Sequence, residues 1–318
     1  MRYRRLGRTD LQVSEIGFGT WAIGGNKHGH SYGPTDNAES LKAIAQAFDM
    51  GCTFFDTADI YGHGLSEKLL GQALQKHRTE SVIATKVGND FYHGSFRKNF
   101  DADYIRLAVE KSLERLRTDY IDLYQLHNPP LMMLQRGEHY DILEELKQAG
   151  KIRYYGVSVH DAYEGEMAIH TGRPDVIQVV YNLLRQDARE ELLPLVQEND
   201  IGLIVREPLA NGMLTGKYTT EAIFADDDFR STWPREYFLM QVQSAEKFRH
   251  LEHPGQRTLA QTALRFVLDE PTVSVTIPGI KTPMQARENL AVSNLSALSA
   301  DERQTIVECM ESMMDDLL

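Results

Sequence analysis

The chain has 318 residues, 42% of them apolar, which is enough for a sizeable core. Its formal charge of -12 argues against a nucleic-acid surface, which needs clustered Lys and Arg, yet leaves room for a phosphate-bearing cofactor held by one local basic group. No apolar run approaches the roughly 20 residues that span a bilayer, and the polar start Met1-Arg2-Tyr3-Arg4-Arg5 lacks a secretion-signal core, so a cytoplasmic protein without membrane partners is expected.

In chain order, Tyr3 to Ile16 reads as a hairpin turning at Gly7-Arg8-Thr9-Asp10. Short apolar runs then alternate with longer segments of helical period, the pattern of parallel strands with crossover helices. The strand candidates are Ile16 to Trp21, Thr53 to Asp56, Ser81 to Val87, Tyr120 to His127, Ile152 to Val159, Val176 to Tyr181, Gly202 to Arg206 and Val273 to Ile277. Between them, Leu41, Ile44, Ala45 and Phe48 form one helical stripe, and Ile105, Ala108, Val109, Ser112, Leu113 and Leu116 form a longer one. Gly51 and Gly150 stand where helices should stop. No Ser- or Pro-rich linker interrupts the chain, so 1–318 is read as one α/β domain. The expected fold is a (β/α)8 TIM barrel with an N-terminal β-hairpin and a long loop or helical insertion after the seventh strand.

That insertion runs from Glu207 to about Thr258 and carries Phe224, Phe229, Trp233 and Tyr237 among acids and glycines. Its aromatic content predicts a lid over the barrel mouth; the plainer alternative is a helical insertion on the barrel exterior. A doubly wound sheet would need a Gly-x-Gly-x-x-Gly turn, and Gly17-Phe18-Gly19-Thr20-Trp21-Ala22 lacks the third glycine. The two cysteines build no disulfide framework. Cys309 shares a stripe with Ile306, Met310 and Met313, and Cys52 sits at a helix-to-strand junction; both read as small hydrophobes.

Four polar residues fall at or just past strand ends: Asp56, Tyr61, Lys86 and His127. In a parallel barrel those ends converge on one mouth. If a carbonyl receives hydride there, its oxygen needs a proton donor. A phenol is a weak acid at neutral pH, a neighbouring ammonium makes it stronger, and a buried ammonium needs an anion beside it. Each residue taken singly has a structural explanation: Asp a turn, Tyr packing, Lys a solvated strand end. Four at one end of one barrel favour chemistry.

The segments FDTADIYGHGLSEKLLGQAL, ATKVG, YIDLYQLHNP, KIRYYGVSV, ANGMLTGKY and IPGIKTPMQARENL resemble, in family order from Leu6 to about Leu298, the aldo-keto reductase superfamily. The resemblance is to the branch of bacterial general-stress reductases and potassium-channel β subunits. It implies an NADP(H)-dependent enzyme that reversibly reduces an aldehyde or ketone. Tyr61 becomes the general acid, Lys86 lowers its pKa, Asp56 holds the lysine charged, and His127 orients the carbonyl. Ser158 and Gln178 match the residues that hold the nicotinamide carboxamide, and Thr20 and Trp21 a dipeptide beside that ring. Pro208, Leu209, Gly212 and Lys217 match the pyrophosphate stretch, and Gly279, Lys281, Gln285, Glu288 and Asn289 the adenosine pocket. Lys281 there offers a point charge to a 2′-phosphate, which favours NADP(H) over NAD(H).

Two positions depart from the family pattern. Arg206 stands where many relatives stack an aromatic ring on the nicotinamide; its charge should disfavour the oxidised cofactor unless Glu207 neutralises it. Val159 stands where Asn often follows the serine, with His160 next. Two rival readings remain. His28-Gly29-His30 has metal-ligand spacing but lies in a loop, with His63, His93 and His160 as remote partners; no metal is expected. A non-enzymatic cofactor-binding module is the other, weighed against by the four intact residues. The expected partner is a small carbonyl compound, and either a monomer or a homo-oligomer fits. Trp21 and loops containing His28 to Tyr32, Phe91 to Phe96, Asn128 to Met133 and Phe224 to Tyr237 should wall its pocket.

Overall fold

Tyr3–Arg5 (β1) and Gln12–Ser14 (β2) pair antiparallel, with Arg4 opposite Val13, in a computed structural model that describes residues 1–28, 31–94 and 96–315. Gly29 and His30 of the His-x-His spacing, and Ser95, lie outside the described residues. The hairpin turn holds Gly7 at φ 53°, and a Cβ there would collide with the Gly202 backbone.

Eight parallel strands follow: Phe18–Gly19 (β3), Phe54–Asp56 (β4), Val82–Val87 (β5), Ile121–His127 (β6), Ile152–Ser158 (β7), Val176–Val180 (β8), Gly202–Arg206 (β9) and Val275–Thr276 (β10). Each pairs with the next in sequence. Gly17 N donates to Thr276 O (2.8 Å) and Gly19 N to Pro278 O (3.0 Å), which joins the last strand to the first. The expected barrel is therefore present. Its closing strands are shorter than the expected Ile16 to Trp21 and Val273 to Ile277, because Trp21 already opens a 3-10 turn and the seam is held by single bridges.

Alternate residues on a strand face one side, and the barrel interior uses this in two layers. Phe54, Val82, Ala84, Leu123, Val176 and Ile204 cluster with Leu6, Leu11 and Val13 of the hairpin, which plugs one end. Nearer the C-terminal ends, β4, β5, β6, β7, β8 and β9 carry Asp56, Lys86, Gln125, His127, Ser158, Gln178 and Arg206. The larger apolar core lies between the strands and the surrounding helices.

Asn37–Asp49 (α1) is capped by Asp36, whose carboxylate accepts from Glu39 N at 2.8 Å. Its buried face is Ser40, Ala43, Ile44 and Ala47; Ala45, expected inside, is exposed. The small Ala43 and Ala47 allow closer approach than the bulkier neighbours that suggested the stripe. Leu65–Leu74 (α2) starts just after the Tyr61 loop, and Ala102–Leu116 (α3) buries all six residues of its expected stripe. Gly51 and Gly150, at φ 87° and 72°, stop their helices as expected.

The segment after β9 folds as turns followed by a helix. Its first half folds as 3-10 turns at Ala210–Thr215 and Phe229–Thr232 and brings Phe229 against Trp21. Its second half contains the helix Arg235–Glu246, which buries only Phe238, Val242 and Ala245.

Candidate active site

At the C-terminal ends of the strands, the register of the sheet places Lys86 beside Gln125 and His127 beside Ser158. Lys86 is fully buried, and its Nζ reaches Asp56 Oδ1 at 2.5 Å, the carbonyl of Thr57 at 2.9 Å and the Tyr61 hydroxyl at 3.4 Å. All three of its donors are therefore satisfied. The His127 ring meets the Tyr61 ring edge-on, centroids 5.9 Å apart. The four residues singled out from the sequence are thus one cluster.

The Tyr61 loop is held by backbone and hydroxyls. Thr57 N donates to Ala84 O (2.8 Å) and Asp59 N to Lys86 O (3.3 Å). Ser66 at the start of α2 donates to the Thr20 hydroxyl at 2.6 Å and lies 2.9 Å from the Thr57 hydroxyl. Thr20 therefore ties the first barrel loop to the second.

Electrostatics follow from burial. Desolvation alone would pull the Lys86 ammonium down, but Asp56 and Tyr61 together hold it above the usual lysine range. Burial pushes the Tyr61 phenol up; Lys86 acts in the expected lowering direction, yet Asp56 opposes it and the net shift is upward. His127 is driven well below the ordinary imidazole value by burial and by the cations of Lys86, Lys98 and Arg206. Its ring is neutral at physiological pH. With Asn89 Nδ2 donating to Nδ1 at 3.1 Å, the ring proton sits on Nε2, leaving that nitrogen as a donor.

Several partners were not foreseen from the sequence. Gln125 Nε2 lies 3.4 Å from Asp56 Oδ2, and Asn89 orients His127. Gln125 was legible as the polar residue two before His127, on the same strand face. Asn89, three residues after Lys86 across a glycine, carried no such signal. Gln178, expected at a carboxamide, donates to Asp56 Oδ2 at 2.8 Å, while Ser158 donates to Gln178 Oε1 at 3.3 Å.

The remaining expected cofactor residues form a path away from this cluster. Arg206 ion-pairs with Glu207 and donates to Val159 O at 3.0 Å, so the condition under which its charge is neutralised is met. Pro208 is buried, Leu209 half-buried, and Ala210, Asn211 and Gly212 run at positive φ. Lys217 is exposed, its Nζ 4.6 Å from the centre of the Tyr218 ring. Asn211 accepts from the Tyr32 hydroxyl (2.8 Å) and passes its carbonyl to Arg230 (2.9 Å). Lys281 Nζ donates to Tyr32 O at 2.5 Å, and its backbone N–H to Gln285 Oε1 at 2.7 Å. Burial and the cations of Arg230 and Lys217 lower the Lys281 ammonium against the pull of Asp228. Gly279 is exposed and bridges to Gly19, Glu288 is exposed, and Asn289 is buried on Pro283–Leu290. Trp21, Tyr32 and Phe229 pack ring to ring at 4.8 to 5.3 Å over the first loop.

His28 and His63 stack at 3.8 Å, and among the described residues no group of three His, Cys, Asp or Glu is placed to hold a metal. Cys52 is buried, and desolvation pushes its thiol up to about 12. No helix of the described residues is long and apolar enough to cross a membrane.

A sequence model described as the aldo/keto reductase family matches residues 15–311. The chain is 33% identical to the aldo-keto reductase YhdN of Bacillus subtilis, over 99% of this chain and 96% of that one. It is 34% identical to the NADH-specific methylglyoxal reductase of Escherichia coli, over 93% and 94% of the two chains. Among solved structures, the holo form of aldo-keto reductase AKR11C1 from Bacillus halodurans superposes with a TM-score of 0.80 at 32% identity, over 97% and 96% of the chains.

Proposed function

Because the chain belongs to the aldo/keto reductase family of oxidoreductases acting on carbonyls, we propose that Tyr61 is its proton donor and NADP(H) its cofactor. The observation that carries the reading is the buried Asp56–Lys86–Tyr61 contact, with neutral His127 facing the phenol.

A bound reduced nicotinamide supplies hydride to the carbonyl carbon. His127, donating from Nε2, polarises the carbonyl oxygen and holds it near Tyr61. As the oxygen gains negative charge, the Tyr61 hydroxyl gives it a proton, and the phenolate left behind faces the Lys86 ammonium at its present 3.4 Å. Asp56 keeps that ammonium charged in a site where burial opposes charge. In the alcohol-oxidising direction the phenolate takes the proton back.

Ser158 and Gln178 stand at the mouth beside this cluster and suit a carboxamide, each bringing both donor and acceptor groups. The choice of NADP(H) rests on Lys281: an ammonium pulled down by burial and neighbouring cations is relieved by an approaching phosphate. The methylglyoxal reductase of Escherichia coli is NADH-specific, so Lys281 is the residue on which the cofactor choice turns here. The test is loss of reduced-cofactor absorbance across a panel of aldehydes and ketones, for the native protein and Tyr61→Phe. A fall of about 10²–10⁴ in rate is expected; an undiminished rate in the variant refutes the role of Tyr61.

A further inference from the structure

After β5 the chain makes a small antiparallel ribbon, Asn89–Asp90 against Arg97–Lys98, with Asn89 opposite Lys98. The turn into it is made by Gly88, at φ 129°, where the Phe100 ring lies so close that a Cβ would collide with it. Asn99 N donates to Gly88 O at 3.1 Å, and the Tyr104 hydroxyl, from α3, donates to Asn89 O at 2.9 Å. These bonds fasten the ribbon to the barrel wall.

Both of its strands reach the same residue. From one, Asn89 Nδ2 meets His127 Nδ1 at 3.1 Å; from the other, Lys98 Nζ donates to the His127 carbonyl at 2.8 Å. Asn128 N, the next amide, donates to Ser158 O at 2.8 Å. His127 is thus held at its ring, its carbonyl and the peptide that follows.

Asn89, Asp90, Arg97 and Lys98 are all polar, so burial of apolar surface does not shape the ribbon. Asp90 does. It is fully buried, and its carboxylate accepts from Tyr92 N (3.1 Å), His93 N (3.3 Å), Arg97 Nε (3.4 Å) and Asn99 Nδ2 (3.1 Å), with His93 Nδ1 at 2.9 Å. Burial alone would push this carboxyl up; hydrogen bonds from Asn99, His93 and the Tyr92 N–H instead take it down to about 2.

We propose that the ribbon is a clamp on His127 and that Asp90 is a positioning residue for the reaction. It keeps Asn89 and Lys98 in register, and they fix the tautomer and direction of the imidazole that polarises the carbonyl. The assignment rests on the reductase reading above. A neutral imidazole donates from Nε2 only while Nδ1 is bare. A ring free to exchange tautomers would turn a lone pair towards the carbonyl oxygen for part of the time. Among the described residues, Tyr61, Lys86, Lys98, Arg206 and His160 are the titratable or charged groups around that ring.

Two measurements decide it. The first is the rate of reduced-cofactor oxidation in a single turnover, for Asn89→Leu, Asp90→Asn and the double variant. Asp90→Asn keeps the side-chain shape but sets an amide NH2 against N–H donors. Each single change should slow the step by about 10- to 100-fold, as for a slightly misplaced reacting group. Because Asp90 acts through Asn89, the double variant should be no slower than the slower single one. Losses that multiply, or a native rate in folded Asp90→Asn, overturn the proposal. Should Asp90→Asn not fold, Arg97→Ala, at an exposed position on the same carboxylate, takes its place. The second measurement needs no turnover: nitrogen NMR of the histidine rings, with His127 identified by its loss in His127→Gln. The native ring should carry its proton on Nε2. In Asn89→Asp the new carboxylate only accepts, so a proton should appear on Nδ1; in Asp90→Asn the two tautomers should average. A native ring protonated on Nδ1, or one whose spectrum is the same in both variants, overturns the clamp. If no carbonyl is reduced but the spectra change as stated, the reductase reading fails and the clamp stands.

Discussion

Asp56 is the carboxylate on which the proposed chemistry turns. It accepts from Lys86, Gln178 and more distantly Gln125, and among the described residues it supplies the only carboxylate hydrogen-bonded to the Lys86 Nζ. Lys86 has its folded pKa raised, so the ion pair contributes its full stability below the ordinary lysine pKa. That contribution is lost as pH rises through the elevated folded value. Asp56→Asn keeps an acceptor but removes the charge. Lys86 then loses the interaction that opposes burial, and Tyr61 loses a neighbour that raises its phenol. Both changes have the same sign: the first proton leaves the Lys86–Tyr61 pair at lower pH. The alkaline limb of the kcat/KM profile for reduction should therefore move to lower pH, with kcat down by about 100-fold at neutral pH. A pH–rate series on the variant checks this; an alkaline limb left in place would show that Asp56 does not govern the pair.

At the scale of elements, the mouth is built by loops whose backbones adopt conformations that side chains resist. His63, Asn128, Glu207, Ala210 and Asn211 all have positive φ just beyond barrel strands or in the insertion, the kind of strain that persists where surrounding contacts enforce it. Tyr32, Asn211, Arg230 and Lys281 link the first loop, the insertion and the turn before Pro283–Leu290 by hydrogen bonds of 2.5 to 2.9 Å. Lys281→Glu should raise the KM for NADPH by about 10- to 100-fold and change that for NADH far less. Steady-state kinetics with both cofactors checks it, and equal losses would remove Lys281 from the phosphate site. The barrel was legible because strand and helix periods differ, and the cluster because its members end apolar runs. On α1, Ile44 is buried and Leu41 and Phe48 pack against the core, while Ala45 is exposed; the buried Ala43 and Ala47 were harder to see because small alanines carry less hydrophobic signal. Asn89, the Tyr32–Asn211 link and the His28–His63 stack could not be seen, because each joins segments that meet only through the folded barrel.

For the whole molecule, the interior separates a stabilising end from a reactive one, as parallel barrels generally do. The hairpin residues Leu6, Leu11 and Val13 are buried against Phe54, Leu123, Val176 and Ile204. Asp56, Lys86, Gln125 and Gln178 lie nearer the C-terminal ends of their strands than that layer. Leu6 has no exposed surface and packs against Gly202, where a Cβ would fall 2.8 Å from the Leu6 Cγ. Gly202 therefore leaves room for Leu6, and truncating the leucine opens a cavity between two backbones that cannot collapse into it. Leu6→Ala should cost about 2–5 kcal/mol of stability. If residues 1–318 form one domain, as we propose, that loss appears as a single unfolding transition at lower temperature, while kcat/KM changes by less than about twofold at temperatures where the variant is folded. Calorimetry alongside kinetics separates the outcomes. Two transitions would divide the chain into independent units, and a large loss of kcat/KM in the folded variant would mean that the plug and the mouth are coupled through the strands they share.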